Sequence, residues 1–212
     1  MRNEALLLPD TLDHLSGQVD AIVAYDDAST DETVAILRAH PTVAFVVANQ
    51  AWEQDIDART LAEGRHRGLL LDMARAELPH DWMLCFDPDE RVTSNLREFV
   101  GGLRDEACDA VRVRLFDAYM TPDDHAPYTS DRALLDFRRF YGPEQRDILM
   151  LLRNRPEIVW AEGDGRTPRG MRRIAARCPG VRLCRARRTS ATLGSSRSSG
   201  SWARAAVSSS ST

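Results

Sequence analysis

The stretch Trp82–Glu90, WMLCFDPDE, decides the reading of this chain. Five apolar residues in a row, Trp82 to Phe86, predict a short strand buried on both faces. That strand runs directly into carboxylates at Asp87 and Asp89. Upstream, Asp20 to Tyr25 (DAIVAY) repeats the pattern and ends at Asp26 and Asp27, and Val43 to Ala48 (VAFVVA) predicts a third strand. Helices fill the gaps. One starts with Ser29 or Thr30 as its cap, carries Asp31 and Glu32 in its first turn, and runs to His40, where Pro41 stops it. Another covers Ala58 to Leu78, with Leu70, Met73, Ala74 and Leu78 on one face and Pro79 closing it. Beyond Glu90, Ser94 to Glu106 predicts a helix and Ala110 to Phe116 a strand. This alternation predicts an α/β domain with a mainly parallel sheet. Ligands of such sheets bind outside the carboxyl ends of the strands, where both acidic clusters fall.

Composition agrees with one ordinary domain. The 212 residues are 43% hydrophobic and 28% charged, with a formal net charge of −4. No run approaches the roughly 18 apolar residues that span a bilayer, and the opening residues lack the pattern of a secretory signal. Cys85, Cys108, Cys178 and Cys184 are too few and scattered for a disulfide framework, and Cys178 with Cys184 lacks the partner pair of a zinc site. A cytoplasmic setting is expected.

Charge is unevenly distributed. All 28 basic residues are arginine, and the last acidic residue is Asp164. The first 164 residues hold 17 Arg against 32 Asp and Glu, a balance of −15, and the remainder carries +11. From Arg185 to Thr212 there are ten serines and only Leu193, Trp202 and Val207 as large apolar residues. This segment is expected to form a tail outside a catalytic domain of residues 1–184, because it can bury too little to offset its ordering entropy. Its Arg, Ser, Ala and Gly content is that of GC-rich codons read in a shifted frame; a natural basic tail is the alternative. At the other end, Leu6 to Leu15 predicts a helix with no strand before it. Met1 is therefore expected inside or just after a first strand that is missing here.

Three constellations carry chemistry. Neighbouring carboxylates at a strand end repel, so a capped helix start, which accounts for Ser29, Asp31 and Glu32, accounts less well for Asp26 with Asp27. A carboxylate there can accept hydrogen bonds from a nucleobase or ribose, and the helix start offers donors to anions. Asp87 and Asp89 can hold a divalent cation together with a diphosphate. Arg65 and Arg67, flanking His66, can neutralise phosphate at the same sheet edge.

Taken in order, RNEA (Arg2 to Ala5), DDASTDET (Asp26 to Thr33), the arginine-bearing helix and W-x-L-x-F-D-P-D-E (Trp82 to Glu90) resemble the family 2 glycosyltransferases. The likeness covers Arg2 to Val92 clearly and Asp105 to Asp164 in outline. It implies the GT-A fold, a Rossmann-like three-layer sandwich with a mainly parallel sheet. It also implies a hexosyl transfer from a nucleotide-diphospho-sugar donor to a glycan or lipid-linked acceptor, with inversion, at the inner face of the membrane. By that likeness Glu4 and Asp27 contact the nucleoside with Asp26 beside them, and Arg67 (or Arg65) holds the diphosphate. Asp87 and Asp89 match the metal motif, Asp89 being the more direct ligand to Mg²⁺ or Mn²⁺. A general base is required as well, for which Asp124, Asp131, Glu162 and Asp164 are the candidates. The loop Trp160 to Gly170 is expected to close over donor or acceptor. Many relatives place a histidine late in the domain, whereas the histidines here stand at 14, 40, 66, 80 and 125.

Other classes fit less well. FDPD also resembles the nucleophile loop of haloacid dehalogenase-type phosphatases, but Arg91 stands where they carry Thr or Val. A nucleotidyltransferase would need a glycine-rich loop near its start. The basic tail lacks the interleaved aromatics of a nucleic-acid module. An inactive protein that only binds nucleotide-sugar, or a protein partner, is the remaining alternative.

Overall fold

Strand β1 (Ala21–Asp26) sends Ile22 and Ala24 into one hydrophobic cluster and Val23 and Tyr25 into another. Period-two alternation with both faces apolar requires cover on both sides. In this computed structural model, which describes residues 1–103, 108–121, 124–165, 167–172, 174–175, 182–186 and 202–207, that cover is helical. On one side lie α1 (Leu8–Ser16), α2 (Thr33–Ala39) and α4 (Leu96–Gly101), which bring Leu8, Leu12, Leu15, Leu37 and Val100 to the sheet. On the other lies α3 (Ile56–Glu77), with Leu70 and Ala74 against Val23 and Tyr25. Strand β3 (Trp82–Phe86) divides its side chains in the same way. Trp82, Leu84 and Phe86 join the first cluster, and Met83 and Cys85 meet Leu71 of α3. The result is a three-layer α/β/α sandwich.

The remaining strands are β2 (Val43–Ala48), β4 (Glu90–Val92), β5 (Ala110–Tyr119), β6 (Phe140–Arg153), β7 (Ile174–Ala175), β8 (Arg182–Ala186) and β9 (Trp202–Val207). A short helix, α5 (Leu134–Phe137), precedes β6. One sheet holds them all in the order β2-β1-β9-β3-β6-β5-β8-β4, with β7 beside β5. β1 is parallel to β2, and β9 is antiparallel to both β1 and β3, so β1, β2 and β3 share a direction. β5, β7 and β8 run the same way, since β6 is antiparallel to β3 and β5 while β7 and β8 are parallel to β5. Six strands thus share one direction, and β4, β6 and β9 run against them, so that five of the eight strand pairings among the described residues are antiparallel.

Strand β9 corrects the expectation for the tail. Residues 202–207 were expected outside the fold; they lie in the sheet between β1 and β3, Ala205 opposite both Ile22 and Leu84. Strand β8 likewise crosses the expected boundary at 184, with Arg185 opposite Glu90 and Asp117. The physical reason is backbone demand. Two apolar strands held side by side present unpaired N–H and C=O groups, which even a segment poor in large side chains can satisfy. Residues 187–201 and 208–212 lie outside the described residues, as does Cys178. Met1 meets the same edge in the parallel sense. Its amine donates to the Tyr25 carbonyl at 2.7 Å and its carbonyl accepts from Asp27 N–H at 2.7 Å.

Two other elements differ from the sequence reading. The helix expected from Ser94 starts at Leu96, capped by Asn95, whose side chain accepts from Glu98 N–H at 3.1 Å. The 14-residue β6 goes unread in the sequence because Gly142, Pro143 and charged residues break its apolar period. Among the described residues Cys85 and Cys108 are buried and free, and no helix is long and apolar enough to cross a membrane.

Candidate active site

Because β1 and β3 point the same way, Asp26-Asp27 and Asp87–Asp89 emerge at one edge of the sheet. The turn after β1 is closed by its own residues. Asp26 is 1% exposed; its Oδ2 accepts from Ser29 N–H at 3.0 Å and its Oδ1 from the Ser29 hydroxyl. Ser29 is thereby engaged and does not cap α2, whose N-cap residue Glu32 makes no side-chain cap bond. Ala28 between them takes the left-handed conformation, φ +54°, which an L residue rarely adopts. The N-terminal segment braces the turn. Thr30 N–H donates to Asn3 Oδ1 at 2.8 Å, and Arg2 donates to the Ala28 carbonyl at 2.5 Å. Glu4 is buried, and its N–H donates to the Thr33 hydroxyl at 2.8 Å.

Asp27 is differently placed. It is half-buried, its Oδ1 accepts from the Asn49 amide at 2.9 Å, and it faces a cavity of about 480 Å³. Tyr25, Asn49, Trp52, Arg65, His66 and Glu162 form part of the wall. The volume is that of a small-molecule site. At its rim the Trp52 ring lies between the guanidinium groups of Arg2 and Arg59, whose central carbons are 4.2 and 4.5 Å from the ring centre. Deeper in, Tyr25 stacks on His66 with ring centres 4.1 Å apart, and its hydroxyl is 3.1 Å from His66 Nε2. Burial and the Asp27 charge push the Tyr25 hydroxyl up to about 12, while burial lowers His66. A protonated Tyr25 donating to a neutral His66 satisfies both.

The two arginines of α3 separate. Arg65 is exposed and lines the cavity. Arg67 is 1% exposed, within 2.5 Å of Glu63 Oε1, with its guanidinium carbon 5.8 Å from the Trp160 ring centre. On either side of them the helix must be bare. A Cβ at Gly64 would stand 2.0 Å from the Ala161 carbonyl oxygen, and one at Gly68 would stand 2.8 Å from that of Trp160. This close approach brings the loop carrying Glu162 against α3 and into the cavity wall.

The other carboxylates named for the base lie elsewhere or are engaged. Asp164 accepts from Ala161 N–H at 2.8 Å and from Arg169 at 2.9 Å, which lowers its carboxyl. Asp131 is exposed, lowered by the Thr129 hydroxyl, and does not line the cavity. Asp124 borders a separate hollow of about 290 Å³, held down to about 2 by Thr121 N–H and Arg139.

At the second strand end, Asp87 is 1% exposed and its N–H donates to Glu90 Oε2 at 2.9 Å. Asp89 is half-buried. Among the described residues, no group of three or more His, Cys, Asp and Glu side chains converges as a metal cage. Asp87 and Asp89 together offer hard oxygen donors. That donor set fits a hard divalent cation whose remaining ligands come from phosphate oxygens and water. Asn49, Trp52 and Arg59 were not read from the sequence. Trp52, a large aromatic in the polar stretch between β2 and α3, was the available signal.

Residues 1–159 match the family model described as Glycosyl transferase family 2, a span that takes in both acidic strand ends and the helix between them. With the three-layer sandwich and the cavity at its carboxyl edge, this match identifies the chain as a member of glycosyl transferase family 2, with the GT-A fold.

Proposed function

We propose that this protein transfers a hexosyl group from a nucleotide-diphospho-sugar to a hydroxyl of a glycan or lipid-linked acceptor, with inversion. One observation carries the reading: Asp27, at the carboxyl end of β1, faces a cavity of nucleoside size walled by α3. There its carboxylate accepts hydrogen bonds from the base or ribose, with Asn49 orienting it at 2.9 Å. Arg65 supplies positive charge at the wall for the diphosphate, and buried Arg67 braces α3 behind it. Asp87 and Asp89 would hold Mg²⁺ or Mn²⁺, which stabilises charge on the departing nucleoside diphosphate when bound. Glu162, the candidate base that lines the cavity, takes the proton from the acceptor hydroxyl as it attacks the anomeric carbon. Inversion follows from a single displacement.

Titration calorimetry with uridine and guanosine diphosphates, with Mn²⁺ or with chelator, tests the donor site. One of the two is expected to bind more tightly with Mn²⁺, and Asp89→Ala is expected to remove that gain. Binding indifferent to chelation in the wild type would sink the metal assignment, and no binding of either nucleotide would sink the donor site. Glu162→Gln should retain nucleotide binding and lose transfer.

A further inference from the structure

Helix α1 grips the backbone that follows β3. Thr11 Oγ1 lies 2.7 Å from the Pro88 carbonyl oxygen, His14 Nε2 accepts from Val92 N–H at 3.0 Å, and Gln18, just past the helix, accepts from Leu96 N–H at 2.9 Å. Positions 11, 14 and 18 recur at helical spacing, so one face of α1 follows the segment 88–96. At the N-terminal end of this face stands the Asp10–Arg91 pair. Arg91 is 1% exposed. Its Nε and one terminal nitrogen reach Asp10 Oδ2 at 2.9 and 2.5 Å. The other terminal nitrogen, NH1, donates to the carbonyls of Pro88 at 2.9 Å and Glu90 at 2.6 Å. These are the carbonyls on either side of Asp89. The same Asp10 Oδ2 also accepts from Leu134 N–H at 3.1 Å, at the start of α5.

A turn whose two flanking carbonyls converge on one buried nitrogen has little freedom left. A ligand on its central side chain then needs no further ordering of the backbone. We propose that Arg91, anchored by Asp10, is a positioning residue that presents the Asp89 carboxylate to the cation of a bound nucleoside diphosphate. The anchor extends through Leu134 N–H to the segment before β6, so metal turn and α5 are referred to one carboxylate. The proposal rests on the donor-site reading above.

The experiment compares wild type, Arg91→Lys and Thr11→Val in calorimetric titrations with uridine and guanosine diphosphates, each with Mn²⁺ and with chelator, after thermal melts. Lysine keeps the charge but cannot span Asp10 and both carbonyls. Thr11→Val loosens the Pro88 carbonyl and leaves the ion pair, so it serves if Arg91→Lys does not fold. Loss of an outer partner of a metal ligand costs about 10–100-fold in metal affinity. The expected result is therefore a Mn²⁺-dependent gain in nucleotide affinity that falls at least about tenfold in Arg91→Lys, and less in Thr11→Val, with the affinity in chelator unchanged. Wild-type gain retained in full by the folded variants overturns the positioning role alone. Equal losses with and without Mn²⁺ make Arg91 merely structural and also overturn it. Absence of any gain in the wild type overturns the metal reading, and the positioning role falls with it.

Discussion

The two acidic strand ends share a plan and differ in what holds them. At each, the carboxylate at the strand end is 1% exposed, Asp26 closing β1 and Asp87 following β3, and a later one, Asp27 or Asp89, is half-buried. The β1 turn is closed locally by Ser29 and braced by Asn3 and Arg2 of the N-terminal segment, at the cost of a left-handed Ala28. The β3 turn is held from below by α1 and the buried Arg91. A self-closed turn leaves its outer carboxylate, Asp27, facing the cavity. A turn clamped by a guanidinium and a helix has its backbone fixed on either side of Asp89. The difference teaches that similar acidic pairs at one sheet edge can be fixed by different means, one by its own turn and one by a distant helix and a buried guanidinium.

The largest expected effect comes from severing the strand that joins the two ends. Ala205→Pro places a residue without an N–H opposite Ile22 and Leu84. It should destabilise the protein by on the order of 3 kcal/mol or more and abolish binding at both ends. A thermal melt unchanged from wild type would show that β1 and β3 hold together without β9.

Next in size is the contrast between Asp27→Asn and Asp89→Asn. Loss of a charged hydrogen-bond partner costs about 1.5–3 kcal/mol, or more than tenfold in affinity. Asp27→Asn should weaken nucleoside diphosphate binding with Mn²⁺ and with chelator alike, while Asp89→Asn should weaken it with Mn²⁺ only. Identical profiles would erase the distinction.

On the β3 side a pH effect should come from His14. Burial, then the nearby Arg91 charge, lower His14 to about 4 against the opposing pull of Asp10. The native ring stays neutral and accepts from Val92 N–H, whereas the unfolded chain takes up a proton near 6.5. The stability it contributes is therefore complete above 6.5 and is lost as pH falls through about 4. Melting temperatures across that window should fall in the wild type, and less steeply in His14→Gln.

The smallest effect is local to β1. Ala28→Gly relieves a conformation that costs an L residue about 1–2 kcal/mol and gives back part of this in unfolded-state entropy. The net gain is up to about 1 kcal/mol, or roughly 2–4 °C in melting temperature, with nucleotide affinity unchanged.

Much of the β1 to α3 side was legible in the order of residues. β2 spans Val43–Ala48 as expected, and α3 runs Ile56–Glu77 beside its predicted Ala58–Leu78. Continuous apolar runs and proline stops act over a few residues, so they survive folding unchanged. The partition within the site was not legible. Arg65 and Arg67 look alike in sequence, and Glu162 looks like Asp164. Which of each lines the cavity depends on Gly64 and Gly68 admitting a loop about a hundred residues downstream.

By itself, the sequence determined the α/β alternation, the two carboxylate-ending strands and their common edge, because burial period and local stops are properties of neighbouring residues. Only the tertiary structure decided that Arg91 and Asp10, 81 residues apart, form one ion pair beside the turn that carries Asp89. It alone seated Trp202–Val207 between β1 and β3. Both choices satisfy groups that exist only once distant strands have come together: a desolvated guanidinium in need of a counter-charge, and two facing ladders of unpaired backbone.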